Sequence, residues 1–196
     1  MLMNAGEWRT EAPGSIDAVA ASSHISRLDR AARSLPGYAK IVLMDHKHYM
    51  QLAFEDAREA YAAGNRPVAA VIVRDGAIIA AGRNTISADR DPSAHAEVAA
   101  IRVACRKLDT LDLAGATLYS TLEPCPMCLW LILEAKIERL VLGARHAALK
   151  RTDTGDYTVE SFLALTRRRL DVVTGVLEQP CVDLRLQWMR EQARQA

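Results

Sequence analysis

The chain has 196 residues, half of them apolar and a quarter charged, ordinary for a soluble globular protein and enough for one well-cored domain. Its formal net charge is +1, and basic and acidic counts stay within two of each other in residues 1–44, 45–143 and 144–196, which excludes a basic arm for nucleic acid or membrane. Four cysteines are too few for a disulfide scaffold, Met1–Thr10 lacks a secretory apolar core, and no apolar run approaches the ~18 residues of a membrane span, so the expected address is the cytoplasm.

Residues 1–44 read as an N-terminal extension, in which Ser15–Leu35 can form one helix that Pro36-Gly37 would end. The compact domain is expected over 45–196. Asp45 is a plausible N-cap, and Tyr49, Leu52, Ala53, Ala57, Ala60 and Tyr61 recur at helical spacing up to Gly64. Two apolar runs follow, Val68–Arg74 and Ala77–Gly82, joined by Asp75-Gly76, which signals a hairpin. Neither run alternates cleanly, so both strands are expected to be covered on both faces. Ser93 is placed to cap a helix reaching about Leu108. A third strand, Thr117–Thr121, leads into Leu122-Glu123-Pro124-Cys125-Pro126-Met127-Cys128, where Pro126 suits the first turn of a helix ending near Lys136. Arg139–Gly143 reads as a fourth strand, Thr158–Thr166 as a helix, Asp171–Gly175 as a fifth strand and Cys181–Gln195 as a closing helix. Strands alternating with helices predict a mixed sheet covered on both faces.

The chemistry lies at two predicted helix starts. Cys125 and Cys128 are three apart, so their sulfurs can share one metal, and a helix N-terminus favours their thiolate forms. His95 stands at the other helix start. Two cysteines and a histidine are ligands that zinc takes, and three ligands with an open fourth position describe a catalytic site. Glu97 would project about 200° from His95 on a regular helix, a poor direction for a second ligand. The CxxC pair alone is also compatible with redox chemistry, or with a structural zinc that His146 would complete. Cys105 and Cys181, among apolar neighbours, read as small buried hydrophobes. Trp130 and Trp188 read as packing residues, and Arg167-Arg168-Arg169 as a solvated helix end.

His95-Ala96-Glu97 followed by Pro124-Cys125-Pro126-Met127-Cys128 matches H-x-E…P-C-x-x-C, the signature of zinc nucleobase deaminases. From about His46 to Met189 the chain resembles the cytidine deaminase-like superfamily, in particular its guanine deaminase and tRNA adenosine deaminase branch. The resemblance implies a three-layer α/β/α fold with a five-stranded mixed sheet, usually in a homodimer. It also implies zinc on His95, Cys125 and Cys128, and Glu97 as the proton shuttle when water replaces a ring amine and ammonia leaves. In relatives an asparagine at the position of Asn84 contacts substrate, and guanine deaminases place a second catalytic carboxylate in the loop holding Asp153 and Asp156. Without the resemblance, Asn84 is a turn residue and Asp156 a cap for the next helix.

Substrate hints divide. Pro67-Val68, Thr121–Cys125, Leu142–Arg145 and Gly175-Val176-Leu177 with Cys181 look like tRNA adenosine deaminases, whereas Cys125–Cys128 and His146 look more like guanine deaminases. The loop Lys150–Tyr157 matches neither. The near-neutral charge tilts the expectation to a free nucleobase or nucleoside over tRNA. A catalytically idle zinc-binding interaction protein is the alternative from another class.

Overall fold

The structure, a computed structural model, describes residues 38–151 and 153–195, so the helix expected over Ser15–Leu35 lies outside the described residues. Helix α1 (Tyr38–Ala62) is already under way at Asp45, which is therefore not its N-cap. No glycine or proline stands between 38 and 62 to interrupt it. Gly64 ends it as expected. At φ +80° its N–H donates to Tyr61 O at 2.9 Å, and the Asn65 N–H donates to Ala60 O at 2.9 Å.

Strands β1 (Ala69–Arg74) and β2 (Ala77–Arg83) form the expected hairpin. Asp75 and Gly76 both take positive φ, +53° and +76°, the pattern of a type I′ turn whose twist matches the strands. The chain continues through α2 (Ile86–Asp89), α3 (Ala96–Leu108), β3 (Thr117–Leu122), α4 (Pro126–Glu134) and β4 (Arg139–Ala144). It closes with α5 (Val159–Thr166), β5 (Asp171–Val173) and α6 (Glu178–Gln195). The sheet order is β2-β1-β3-β4-β5, with β1 antiparallel to both neighbours and β3, β4 and β5 parallel. This is the mixed five-stranded sheet that the helix–strand alternation predicts.

Side chains alternate across the sheet, and so do the layers. Val71, Val73, Tyr119 and Val141 face α1, with α6 beside it, while Ala70, Ile72, Leu118, Leu140 and Leu142 face α3 and α4. Strand β1 is buried on both faces as expected, but β2 is not. Only Ala80 and Gly82 of β2 are buried. It is an edge strand, covered by α3 on one side, with no further strand beyond it among the described residues.

Gly82 sets how closely α3 can approach. A Cβ there would stand 2.4 Å from both Ala96 O and Ala100 N, backbone atoms of α3. Gly82→Ala is expected to push α3 off the sheet and to cost about 1–3 kcal/mol, the range for overpacking a tight core. A urea melt measures it. An unchanged midpoint would mean that α3 does not bear on this glycine.

Candidate metal centre and active site

Two loops meet at the ends of β2 and β3. The loop after β2 closes with a hydrogen bond from Thr85 N–H to Ala94 O at 3.0 Å, which sets His95 at the mouth of α3. The N-cap of α3 is His95, in extended backbone (φ −80°, ψ 151°), and not Ser93. Ser93 is engaged elsewhere: its N–H and Oγ both donate to Asp91 Oδ1, at 2.7 and 2.8 Å. The segment after β3 does the same for Cys125, the extended N-cap of α4 (φ −70°, ψ 169°), with Pro126 at the first helical position.

This geometry brings three donors together. His95 Nδ1 lies 3.7 Å from Cys125 Sγ and 3.4 Å from Cys128 Sγ, and the three ligand atoms fall within 4.8 Å of one another. Tetrahedral zinc with Zn–S near 2.3 Å and Zn–N near 2.0–2.1 Å holds its ligands about 3.6 Å apart, so this donor set fits zinc. Among the described residues no fourth His, Cys, Asp or Glu joins the group, His146 included. Three protein ligands and one open position remain.

Charge at the cluster is arranged around a thiolate. The Cys125 thiol is pulled down to about 4, first by a hydrogen bond from Cys128 and then by His95, against the opposing effect of burial. Cys128 is pushed up by donating to Cys125 and by burial, with Glu97 adding to it. His95 is raised, chiefly by its hydrogen bond with Cys125.

Glu97 is buried beside this group, and burial is the main reason its carboxyl sits above the ordinary carboxylate range. Ser120 Oγ lies 3.0 Å from Glu97 Oε1 and 2.7 Å from Leu122 O. With one proton to give, the hydroxyl can donate to the carboxylate, or turn to the carbonyl and accept from a protonated Glu97. The 200° objection to Glu97 fails because His95 is not helical: its extended φ/ψ redirects the imidazole while Glu97 stays in the first turn.

Other expected residues fall at different distances from the chemistry. Asn84 is buried at the end of β2; its N–H donates to Val68 O at 2.9 Å, and its Oδ1 sits 3.4 Å from Ile86 N. Asp153 is exposed and ion-paired to Arg151, which holds its carboxyl down near 2. Asp156 is exposed and does not cap α5. Thr158 does, in a reciprocal box with Ser161 at 2.9 and 3.0 Å, because its hydroxyl is in register with the first free amides. Cys181 is buried as expected, and Cys105 only partly. An open cleft of about 420 Å³ lined by Leu133, Lys136, Arg168 and Asp171 lies at the start of β4 and β5, the far end of the sheet from the ligands.

Sequence reasoning missed Glu123 and Tyr157. Glu123 is 2 % exposed. Its carboxylate accepts from Val159 N at 2.9 Å, His146 N at 2.9 Å and Arg145 Nε at 3.1 Å. Tyr157 donates its hydroxyl to Pro124 O at 2.7 Å. The signal for Glu123 was a carboxylate at the end of an apolar strand, where burial demands partners. Glu123→Ala is expected to cost about 3–5 kcal/mol, the range for removing one partner of a buried charged pair. Glu123→Gln should recover part of that in the same denaturant series, and equal midpoints for the Ala variant and the parent would sink the assignment.

The comparisons with known proteins agree with this geometry. The family model for the cytidine and deoxycytidylate deaminase zinc-binding region matches residues 43–144. A tRNA-specific adenosine deaminase of Bacillus subtilis is 39% identical over 145 residues, 73% of this chain and 88% of its own length. A guanine deaminase of the same organism is 45% identical over 104 residues, 53% of this chain and 67% of its own. The solved guanine deaminase from Nitrosomonas europaea superposes with a TM-score of 0.63 at 29% identity, over 72% of this chain and 83% of that one.

Proposed function

The chain belongs to the cytidine and deoxycytidylate deaminase zinc-binding family, and from that premise we propose that it hydrolyses the exocyclic amine of a nucleobase carried in a small molecule. The observation that carries this reading is the three-donor set of His95, Cys125 and Cys128 with the buried Glu97 against it. When bound there, zinc supplies a water acidic enough to serve as a nucleophile near neutral pH.

The chain's own residues do the rest. His95, Cys125 and Cys128 hold the metal, and the Cys125 thiolate is already favoured by its neighbours. Glu97 takes a proton from the attacking water and delivers it to a ring nitrogen as the C–O bond forms, then carries the remaining proton of the added hydroxyl to the amine, so the C–N bond breaks and ammonia leaves. Ser120 can follow Glu97 through both protonation states. Asn84, buried just past the end of β2 with its N–H on Val68 O, orients the base. Asp153, ion-paired to Arg151, and Asp156 are both exposed and are given no step in this chemistry.

The small-molecule assignment is supported by a net charge of +1 with no basic segment, since RNA-binding surfaces draw their affinity from phosphate contacts. The second reading, a tRNA adenosine deaminase, is favoured by the 39%-identical relative so named. The exposed Met127 and Trp130 on α4 suit a self-associating face, and with it a homodimer. No helix among the described residues is long and apolar enough to cross a membrane.

Ammonia release from guanine, adenine, cytosine and their nucleosides and nucleotides tests the proposal. Turnover of a small substrate supports it. Inosine formation in an anticodon stem-loop, with no small substrate turned over, replaces it with the second reading. Zinc binding with no turnover of any substrate makes the chain a zinc-binding interaction protein.

A further inference from the structure

A hydroxyl stands where the core around it calls for hydrocarbon. Ser120 lies on β3, the middle strand of the sheet, and is fully buried. Leu118 and Leu122, two residues to either side, point the same way and belong to the apolar cluster under α3 and α4. A hydroxyl moved from water into such surroundings costs free energy unless it finds a partner. Leu122 O, at 2.7 Å, supplies one from within the same strand. The 3.0 Å contact with Glu97 Oε1 is therefore not needed to satisfy Ser120. Glu97 is the residue that gains from it.

A glutamate side chain turns about three bonds, and a place on the first turn of α3 leaves the end of the chain to be fixed by something else. Ser120 is a firm point for that purpose. Its strand is paired on both sides, with Ala70 and Leu142 as its register partners. One carboxylate oxygen is thus held from the sheet while the other is left for chemistry. An acid protonated on Oε2 keeps a carbonyl oxygen at Oε1, and that oxygen still accepts from a hydroxyl. The anchor survives each uptake and release of a proton at Oε2.

We propose that Ser120 is a positioning residue for the deamination: by donating to Oε1 it aims the Glu97 carboxylate, so that Oε2 carries the protons from water to ring nitrogen and amine. This deepens the deaminase reading and rests on it. Ser120 acts through Glu97 and not on the substrate, so its effect falls on turnover and spares binding.

The zinc-loaded full chain tests this on whichever of guanine, adenine, cytosine, their nucleosides or an anticodon stem-loop the parent turns over. Ser120→Ala should lower kcat by about 10- to 10²-fold, the scale set by a ~1 Å misplacement of a reacting group, with KM within about twofold and zinc at the parental stoichiometry. In a Glu97→Gln background the same substitution should change the residual kcat by less than about twofold, since an amide has no proton transfer to aim. Urea midpoints should fall alike in both backgrounds, because glutamine still accepts from Ser120. Ser120→Thr keeps the hydroxyl and should restore most of kcat. Should Ser120→Ala fail to fold, Ser120→Val against Ser120→Thr isolates the hydroxyl at constant shape. A lowered midpoint with parental kcat overturns the proposal and leaves Ser120 a hydroxyl satisfied by its own strand. An equal loss of kcat in the Glu97→Gln background overturns it too, because Ser120 would then act elsewhere than through Glu97. No turnover of any substrate by the parent sinks the deaminase reading and this role with it.

Discussion

Glu97→Gln is expected to lower kcat by about 10²- to 10⁴-fold while zinc stays bound at the parental stoichiometry, because general acid–base transfer has typically that worth. Glutamine keeps the shape of glutamate and can still accept from Ser120 Oγ, so packing in this buried position survives. What it cannot do is carry a proton between two sites on the substrate. The raised carboxyl pKa adds a second signature. Glu97 acts as a base only when ionised, so the parent's rate should fall on the acid side at a pH above the ordinary carboxylate range. That limb should vanish in the variant. Steady-state rates across pH, with zinc measured on the same samples, decide it. Parental turnover by the Gln variant would remove Glu97 from the mechanism.

Cys128→Ser is expected to lose the metal and all measurable activity. A serine hydroxyl stays protonated near neutral pH and is a poor replacement for thiolate on zinc. The loss should extend to stability, since zinc binds the folded ligand set and its binding free energy adds to folding. Protons matter to the sign. Cys128 and His95 both have raised pKa values, so in protein stripped by a chelator they hold protons that zinc must displace. Zinc uptake should therefore release protons, and affinity should weaken as pH falls. A competition titration at several pH values tests that slope. A Cys128→Ser protein that retains stoichiometric zinc and the parental melting temperature would show that the ligand set is misassigned.

How much of this was written in the chain divides by range. The hairpin at Asp75-Gly76, the proline start of α4 and the spacing of Cys125 and Cys128 are local, and local chemistry dictates them. The start of α3 misled because Ser93 is a good cap in isolation, yet the Asp91 carboxylate engages it first and leaves His95 to begin the helix. That two-residue difference is what reconciles Glu97 with the metal ligands. Helix α1 starts before Asp45 for a comparable reason: a helix stops at a breaker, and a good cap inside a helical run does not start a new one. The exposure of β2 could not be read from its composition, because edge or centre is decided by which strands pair. Arg185 was likewise an unremarked arginine on an amphipathic helix until the fold buried it over the Trp188 ring.

The bonds around Glu123 have a mechanical consequence. Its carboxylate grips His146 N at one end of the segment from 146 to 159 and Val159 N at the other, while Tyr157 fastens the same stretch to Pro124. The segment is thus a loop knotted at a single point, two residues from a zinc ligand. It cannot swing open from either end without releasing the knot. Traffic of substrate and product past it must be accommodated by its middle. Amide hydrogen exchange should report this as slow opening at His146 and Val159, with any ligand-dependent change confined to the residues between them.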